Sequence, residues 1–493
     1  MAPIELEVTA LAVNLFHLCN LWILYQETGM KRALVLVAIA SALPASLSAQ
    51  SRRAEPPPIQ REYQAVANRI IAAATADSAA WRKLAELTDG FGHRLSGSDA
   101  LERAIDWIIA RMKTEGLENV RGEPVLVPRW IRGHEKAELL EPRYLSLPML
   151  GLGGSVGTPR GGLQAEVLVV SSYDELKARA ADARGRIVLF DVPFTSYGQT
   201  VVYRGTGPSE AAKLGAVAML LRSVGPFGMR TPHTGATGPY DPAVGRIPAA
   251  AITMEDAAML HRMQERGQRI VVRLEMEAHF LPDILSRNVI GELVGREKPD
   301  EVVVFGGHID SWDVGTGAMD DAGGVVAAWE AVRLLKTLGL RPRRTIRVVG
   351  WTNEENGGRG GQAYRDTHQA ALARHSAAIE SDGGTFKFRG FGFSGSDSAY
   401  AIVRQIGKLL KTLGADTVFR GGGGADIGPI MARGVPGMAH LVDGTRYFWY
   451  HHTEADNVDK IDPRELAENV AAMAVMAYVI AELPDLLPRQ PPR

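Results

Sequence analysis

Residues 302–325 read VVVFGGHIDSWDVGTGAMDDAGGV. A β-branched run ends in two glycines, after which His308 and Asp310 stand two residues apart. A glycine-rich loop then leads to the adjacent aspartates Asp320 and Asp321. A neutral imidazole and carboxylates at a strand end are typical ligands of a divalent metal ion. The stretch therefore predicts a buried strand with a metal site at its carboxyl end.

The region after Asp283 alternates strands with helices. Strands are expected at 302–305, 345–350, 376–380 and 438–442, and helices at 324–338, 361–374, 398–413 and 463–483. This alternation predicts an α/β fold with a mixed, largely parallel sheet flanked by helices. Ligand sites in such sheets lie beyond the carboxyl ends of the strands.

Other chain segments in this region also offer carboxylates or imidazoles. They are the pair Glu354–Glu355, then Asp382, and near the C-terminus the pair His451–His452. Each alone is more simply a turn or a solvated pair, but their joint occurrence at strand ends indicates metal binding. Two imidazoles and at least three carboxylates suit two ions with one bridging carboxylate. One of the adjacent glutamates can ligate while the other acts as general base, and spacing does not say which.

Composition limits the other possibilities. The chain has 493 residues, 46% of them hydrophobic, and a formal net charge of −1. This length allows two or more domains, and the charge gives no indication of a nucleic-acid partner. The single cysteine, Cys19, lies in a segment expected to be absent from the mature protein. A metal site must therefore be built from His, Asp and Glu.

The N-terminal region resembles a secretory leader. Residues 30–49 combine a basic start, an apolar run and small residues before Gln50, as in a signal peptide. Residues 1–29 are then an upstream extension and Met30 the true start; the alternative is a genuine N-terminal extension. We expect a secreted or periplasmic protein without a membrane span in its mature form.

Three further segments are expected after the leader. Residues 50–127 form the N-terminal part of the catalytic domain, 128–283 an inserted β-rich module, and 284–493 the main part of the catalytic domain. Within the insert, strands are expected at 165–170, 186–190, 216–221 and 270–274, and helices at 209–214 and 254–265. Glycine- and proline-rich turns separate these runs.

Four motifs carry a specific resemblance. GGHIDSWDVGTGAMDDAGG, WTNEENGG, ESDGGTF and YHHTEAD resemble the co-catalytic zinc exopeptidases, and within them the carboxypeptidase Q group and its bacterial relatives. The resemblance covers the expected mature chain, including LAELTDGFGHRLSGS, and the insert is similar to a protease-associated domain. It implies a zinc aminopeptidase-like fold, a homodimer, and release of amino acids from dipeptides or from the N-termini of short peptides.

The resemblance also implies a ligand set for two zinc ions. Carried over position by position, His308 and Asp382 would bind one ion. Glu355 and His452 would bind the other. Asp320 would bridge the two ions, between which the attacking water would be held.

The remaining roles follow from the same resemblance. Glu354 would be the general base, and Asp310 would orient His308 as a supporting carboxylate. The peptide bond between Asp320 and the next aspartate is expected to be cis. His452 is preferred to His451 as the ligand because it stands four residues before an aspartate, Asp456.

Other polar residues receive supporting roles. Asp313 and Asp321 are expected in loop and capping positions. Asp426, in a GGGGAD run, could contact a substrate amino group, and Tyr447 and Tyr450 could stabilise an oxyanion or simply pack beside the site. Three alternative functions stay open: a carboxypeptidase, a glutaminyl-cyclase-like transferase with one zinc, and a non-catalytic binding protein on a peptidase fold.

Overall fold

The computed structural model describes residues 58–490. The expected upstream extension and signal peptide lie outside the described residues. The helices are α1 (Pro58–Thr75), α2 (Ala79–Phe91), α3 (Asp99–Thr114), α4 (Tyr173–Ala178), α5 (Ala180–Ala183), α6 (Tyr197–Lys213), α7 (Met254–Glu265), α8 (Gly323–Thr337), α9 (Arg359–Thr367), α10 (Asp397–Gly407), α11 (Gly428–Met431), α12 (Tyr447–Tyr450) and α13 (Pro463–Glu482). A membrane-spanning helix is not found among residues 58–490, since none of their helices combines the necessary length and hydropathy.

The strands form two eight-stranded sheets. They are β1 (Glu118–Ile131), β2 (Glu135–Glu141), β3 (Leu145–Leu147), β4 (Met149–Gly151), β5 (Leu163–Val170), β6 (Ile187–Phe190), β7 (Ala218–Arg222), β8 (Ala249–Ile252), β9 (Val271–Met276), β10 (His279–Leu293), β11 (Lys298–His308), β12 (Arg344–Trp351), β13 (His375–Glu380), β14 (Phe388–Ser394), β15 (Val418–Arg420) and β16 (Gly437–Val442). The first sheet has the order β1-β10-β12-β11-β13-β16-β14-β15, and the inserted sheet the order β3-β2-β9-β5-β6-β7-β8-β4.

The first sheet is parallel at its centre and covered on both faces. Strands β12, β11, β13 and β16 run parallel, whereas β1, β10 and β14 join antiparallel. Along β11, Val303 and Phe305 pack into the core formed with α8 and α13, whereas Val302 and Val304 pack into the core on the opposite face. This alternation is what a strand buried on both faces requires. The expected mixed α/β sheet flanked by helices is confirmed.

The inserted sheet is formed entirely by residues 135–276 and has buried clusters on both faces. The chain leaves the first sheet at Ile131 and returns at His279, and these two residues face each other in the antiparallel pair β1–β10. The expected insert, 128–283, thus takes in the ends of both strands of this pair. Whether the insert is a protease-associated domain stays a prediction.

Two features differ from the expected pattern. Helix α6 covers 197–213, whereas only 209–214 was expected, because Gly205, Gly207 and Pro208 are poor helix formers that mask its pattern. The long strands β1 and β10 were also missed. Their outer parts are largely exposed or half-exposed and lack the continuous apolar run of a central strand.

Candidate metal centre

Strand ends of the first sheet bring the predicted ligands together. His308 is the last residue of β11, and Asp320 lies in the loop between β11 and α8. Glu355 follows β12, and Asp382 follows β13. His452 follows the short helix α12. All five side chains therefore meet at the carboxyl edge of the central strands, where ligand sites of such sheets lie.

The carboxylate of Asp320 lies between two imidazoles. Its Oδ1 is 3.1 Å from Nε2 of His308, and its Oδ2 is 3.2 Å from Nε2 of His452. Asp382 Oδ1 is 3.5 Å from the first imidazole, and Glu355 Oε2 is 3.0 Å from the second. The geometry divides the set into two halves that share one carboxylate. Such an arrangement is compatible with metal binding.

The hydrogen bonds of both rings fit a bound cation. Nδ1 of His308 donates to the main-chain oxygen of Asp310 at 2.9 Å, and Nδ1 of His452 donates to that of Thr234 at 3.3 Å. Each Nε2 then faces carboxylate oxygens at hydrogen-bonding to ion-pair distance. Oε1 of Glu355 is buried without a hydrogen-bond partner. Imidazole nitrogens and carboxylate oxygens that converge in a buried site are compatible with a bound metal ion.

Asp310 supports the centre in a way that differs from expectation. Its carboxylate is 3.8 Å from Nδ1 of His308, so the ring is oriented by the main-chain oxygen instead. The two carboxylate oxygens accept the N–H groups of Glu354 and Glu355 at 3.1 and 3.3 Å. Ser96 also donates to this carboxylate, at 3.1 Å. Asp310 therefore holds the main chain of the paired glutamates.

Glu354 is the less buried member of the glutamate pair. Burial, and then the charges of Asp382 and Glu355, raise the pKa of Glu354 well above its ordinary value. Burial and the charge of Asp320 also raise the pKa of Glu355, to about 7. A carboxyl group with a raised pKa beside a metal site can accept and return a proton near neutral pH.

The loop that carries Asp320 is fixed at both ends. The peptide bond between Asp320 and Asp321 is cis, as the resemblance implied. Asp321 accepts the N–H of His308 at 3.1 Å and that of Gly324 at 3.2 Å, so it ties the strand end to the start of α8. Asp321 lies one residue before the N-cap, Ala322, and still bonds to the first turn of the helix.

Two residues that hold this loop were not identified as such from the sequence. Asp456 accepts the N–H groups of Met319 and Asp320 at 2.7 and 3.1 Å, and burial raises the pKa of Asp456 to about 7. Arg94 is buried and donates to main-chain oxygens of the loop, including those of Ile309 and Thr316. In the sequence, Arg94 could have been identified from its place in the motif GHRLSGS. Asp456 could have been identified from its position four residues after His452.

The inserted sheet contributes to the half of the centre that contains His452. Thr234 and His452 bond twice, because the Thr234 N–H also donates to the main-chain oxygen of His452 at 2.9 Å. The buried guanidinium of Arg204, on α6, donates to the Thr234 oxygen at 3.2 Å and to the hydroxyl of Tyr197 at 2.8 Å. Its Nη1 is 3.3 Å from Nδ1 of His452. Residues of the insert thus orient this imidazole, which the sequence did not reveal.

His451 stays close to the centre as the competing imidazole. Its ring stacks on that of His452 with the centroids 3.5 Å apart, and its Nε2 is 3.5 Å from Asp320 Oδ2. Burial, and then the neighbouring His452, hold the pKa of His451 well below its ordinary value. Tyr447 and Phe448 contact the same ring. His451 is therefore a buried packing residue that could also reach a metal ion.

The other predicted residues lie around this centre. Asp313 forms two hydrogen bonds with Arg132, at 2.5 and 2.8 Å, and so takes a loop position. Asp426 is buried with both carboxylate oxygens unpartnered, and burial, then Glu380, raise the pKa of Asp426 well above its ordinary value. Tyr447 is buried against His451, and Tyr450 packs against the first core.

The chain is similar in sequence to one family of peptidases. The model of peptidase family M28 matches residues 288–477. Carboxypeptidase Q of Mus musculus is 46% identical over 430 residues, which cover 87% of this chain and 91% of that protein. Carboxypeptidase Q of Homo sapiens is 46% identical over 414 residues, which cover 84% of this chain and 88% of that protein.

Solved structures give the same result for the fold. A peptidase M28 precursor from Shewanella amazonensis superposes with a TM-score of 0.85 and 37% identity, covering 88% of this chain and all of that one. An aminopeptidase from Aneurinibacillus superposes with a TM-score of 0.60 and 21% identity, covering 86% of this chain and 98% of that one. The second likeness concerns the fold alone.

Proposed function

Because the chain belongs to peptidase family M28, and is thus a metallopeptidase, we propose that it is a dizinc exopeptidase. It would hydrolyse dipeptides or remove N-terminal residues from short peptides. One observation carries the proposal: the carboxylate of Asp320 directs one oxygen toward His308 and the other toward His452. A single ion would not need a shared carboxylate between two imidazoles.

The proposed ligands follow the two halves of the centre. His308 and Asp382 would hold one zinc ion, Glu355 and His452 the other, and Asp320 both. Two bound zinc ions would acidify a water and polarise the scissile carbonyl. The donor set consists of imidazole nitrogens and carboxylate oxygens, which suits zinc.

Glu354 is proposed as the general base. Its side chain is partly buried beside Asp382, and its raised pKa favours uptake of a proton from the attacking water. The same group would return that proton to the leaving amine. The bond from its N–H to Asp310 keeps it in place during both transfers.

Location and assembly are proposed from the sequence. The signal-peptide pattern from Met30 supports export, so the mature protein would be secreted or periplasmic, and the family resemblance supports a homodimer. Peptide mass mapping of the exported protein tests the proposed export, and a mature N-terminus before Met30 would contradict it. Light scattering tests the proposed homodimer, and the mass of a single chain would contradict it.

The paired glutamates provide the test of the mechanism. We expect Glu354→Gln to keep both metal ions and to lose turnover about 100- to 10,000-fold, because only the proton transfer is removed. Glu355→Gln is the matched control, since it should instead lower the metal content. Metal analysis and dipeptide hydrolysis would be measured together. Near-normal turnover of Glu354→Gln would refute the base assignment.

A further inference from the structure

Asn353 begins the turn that carries the paired glutamates. It lies between the end of β12 and Glu354, and its side chain is fully buried. Its φ is +66°, in the left-handed region that residues other than glycine seldom adopt, although asparagine tolerates it better than most. None of the roles assigned above uses this residue. A buried asparagine in this conformation beside a reactive group indicates a function for its side chain.

The amide group of Asn353 is engaged on both sides. Its Nδ2 donates to the hydroxyl of Ser96 at 3.1 Å and to the side-chain oxygen of Asn356. Its Oδ1 accepts the N–H of Arg359 at 3.3 Å. A primary amide can donate two hydrogen bonds, so both donors of Asn353 are used. The side chain therefore links the turn after β12 to the loop before α3.

The main chain of the turn closes around the same side chain. The Gly358 N–H donates to the main-chain oxygen of Asn353, and the Gly357 N–H donates to that of Glu354 at 3.4 Å. A side chain at Gly357 has no room, since a Cβ there would lie 2.3 Å from Oδ1 of Asn353. The turn 353–358 is therefore packed directly onto the Asn353 amide.

Ser96 connects Asn353 to the support of the metal centre. The Ser96 hydroxyl, which accepts from Asn353, donates to Oδ2 of Asp310 at 3.1 Å. The two oxygens of Asp310 accept the N–H groups of Glu354 and Glu355. Ser96, Asp310 and Asn353 are each at most 2% exposed, so water competes little for these bonds. A continuous chain of hydrogen bonds thus runs from the Asn353 amide to both glutamates.

We propose that Asn353 is a positioning residue that holds Glu354 in the place that proton transfer needs. It acts on the N–H of Glu354 through Ser96 and Asp310, and on the main-chain oxygen of Glu354 through the turn. The inference rests on the proposed role of Glu354 as general base and deepens it. A small displacement of a catalytic group can slow a reaction about 100-fold, so loss of the amide should lower turnover although no reacting group is removed.

The first experiment combines Asn353→Gly with Glu354→Gln on the zinc-loaded protein. Glycine adopts the positive φ readily, so the substitution removes only the amide group. We expect Asn353→Gly to lower kcat for a dipeptide about 10- to 100-fold, with KM and metal content nearly unchanged. In the Glu354→Gln background it should lower kcat no further, because Asn353 acts through Glu354.

The outcomes of this experiment are distinguishable. An equal loss in both backgrounds, or no loss in the first, would overturn the positioning role and leave the peptidase function intact. Near-normal turnover of Glu354→Gln alone would refute the base assignment, and this inference with it. If the wild-type protein hydrolysed no dipeptide, the proposed function would fail and the inference would fail with it.

Asn119→Gly is the matched control. Asn119 also has a positive φ, +50°, and its side chain donates to Glu292 at 2.7 Å on the neighbouring strand β10. Its substitution should leave kcat unchanged in both backgrounds. A loss as large as that of Asn353→Gly would show that the effect does not depend on the bonds of Asn353, and would overturn the proposal.

A second experiment follows the turn without catalysis. Ser96→Ala breaks the link between Asn353 and Asp310 but leaves the sequence of the turn unchanged. Hydrogen exchange measured by mass spectrometry should be about 10-fold faster in segment 354–358 of both Asn353→Gly and Ser96→Ala, because a buried hydrogen bond is lost in each. The losses in kcat should also be less than additive in the double variant. Unchanged exchange in both folded variants would overturn the proposal.

Discussion

The two imidazoles that face Asp320 are held by different parts of the molecule. His308 ends β11 and bonds to Asp310 two residues later, so the first sheet alone fixes it. His452 donates to Thr234, which lies in a loop of the insert. Two similar candidate ligands therefore differ in their support: His308 is held by neighbouring residues of its own strand end, and His452 by a contact with the insert.

The largest loss of metal binding and turnover is expected from a substitution of Asp320, where the two halves of the candidate metal centre meet. Asp320→Asn removes a carboxylate charge that both proposed ions share, so both should bind more weakly and turnover should fall more than about 100-fold, beyond the loss typical of a supporting residue. Metal analysis after dialysis measures this. Loss of a single equivalent would contradict the shared role. Asp313→Asn, which changes a nearby aspartate bound to Arg132, is the control.

A smaller effect, limited to one half of the candidate metal centre, is expected from a substitution in the insert. Arg204→Met removes the donor that fixes the Thr234 oxygen, so affinity at the His452 position should fall about 10- to 100-fold while the His308 position is unchanged. Chelator competition on the folded protein gives both affinities. Arg222→Met, which breaks a 3.0 Å pair with Asp191 elsewhere in the insert, is the control. An equal loss at both positions would show that the insert supports the whole centre.

The smallest effect on the centre should come from a histidine at the opposite end of the strands. His375, at the start of β13, accepts from the Tyr364 hydroxyl and donates to the Ala371 oxygen, and burial lowers its pKa to about 4. Its folded pKa is below the unfolded value of 6.5, so its contribution to stability is present above pH 6.5 and is lost as the pH falls toward 4.

Because the pKa of His375 is lowered in the folded protein, we expect this residue alone to reduce the free energy of unfolding by about 2 kcal/mol between pH 7.5 and pH 5. Denaturant unfolding at both pH values measures it. His375→Gln should show a shallower pH dependence than the wild-type protein, with metal affinity unchanged at neutral pH. An identical slope in both proteins would exclude His375 as the source.

Much of the centre could be predicted because its candidate ligands follow strands with local signals. His308 is the last residue of β11 and Asp382 lies two residues after β13, and a parallel sheet brings such ends together. The family motifs then assigned the roles of base and ligand to Glu354 and Glu355, which spacing alone left open, and this assignment stays a prediction. The cis peptide after Asp320 was likewise implied by the resemblance and is present.

Other parts could not be predicted because their partners are distant in the chain. Thr234 and His452 are 218 positions apart, and Arg94 bonds to Ile309 across 215 positions. The periodicity of apolar residues along a segment does not predict contacts between residues so far apart in the chain. The same holds for the register of β1 against β10, which places Ile131 opposite His279. The orienting role of the Asp310 main chain was missed because the residue pattern pointed to its carboxylate.

The antiparallel pair β1–β10 has a mechanical consequence. Since Ile131 and His279 are neighbours, the chain enters and leaves the insert at one point, and any displacement of the inserted sheet as a body would pivot at this pair. Such a rotation would carry Thr234 and Arg204 away from His452 together. The position of the insert and the orientation of His452 would then change together.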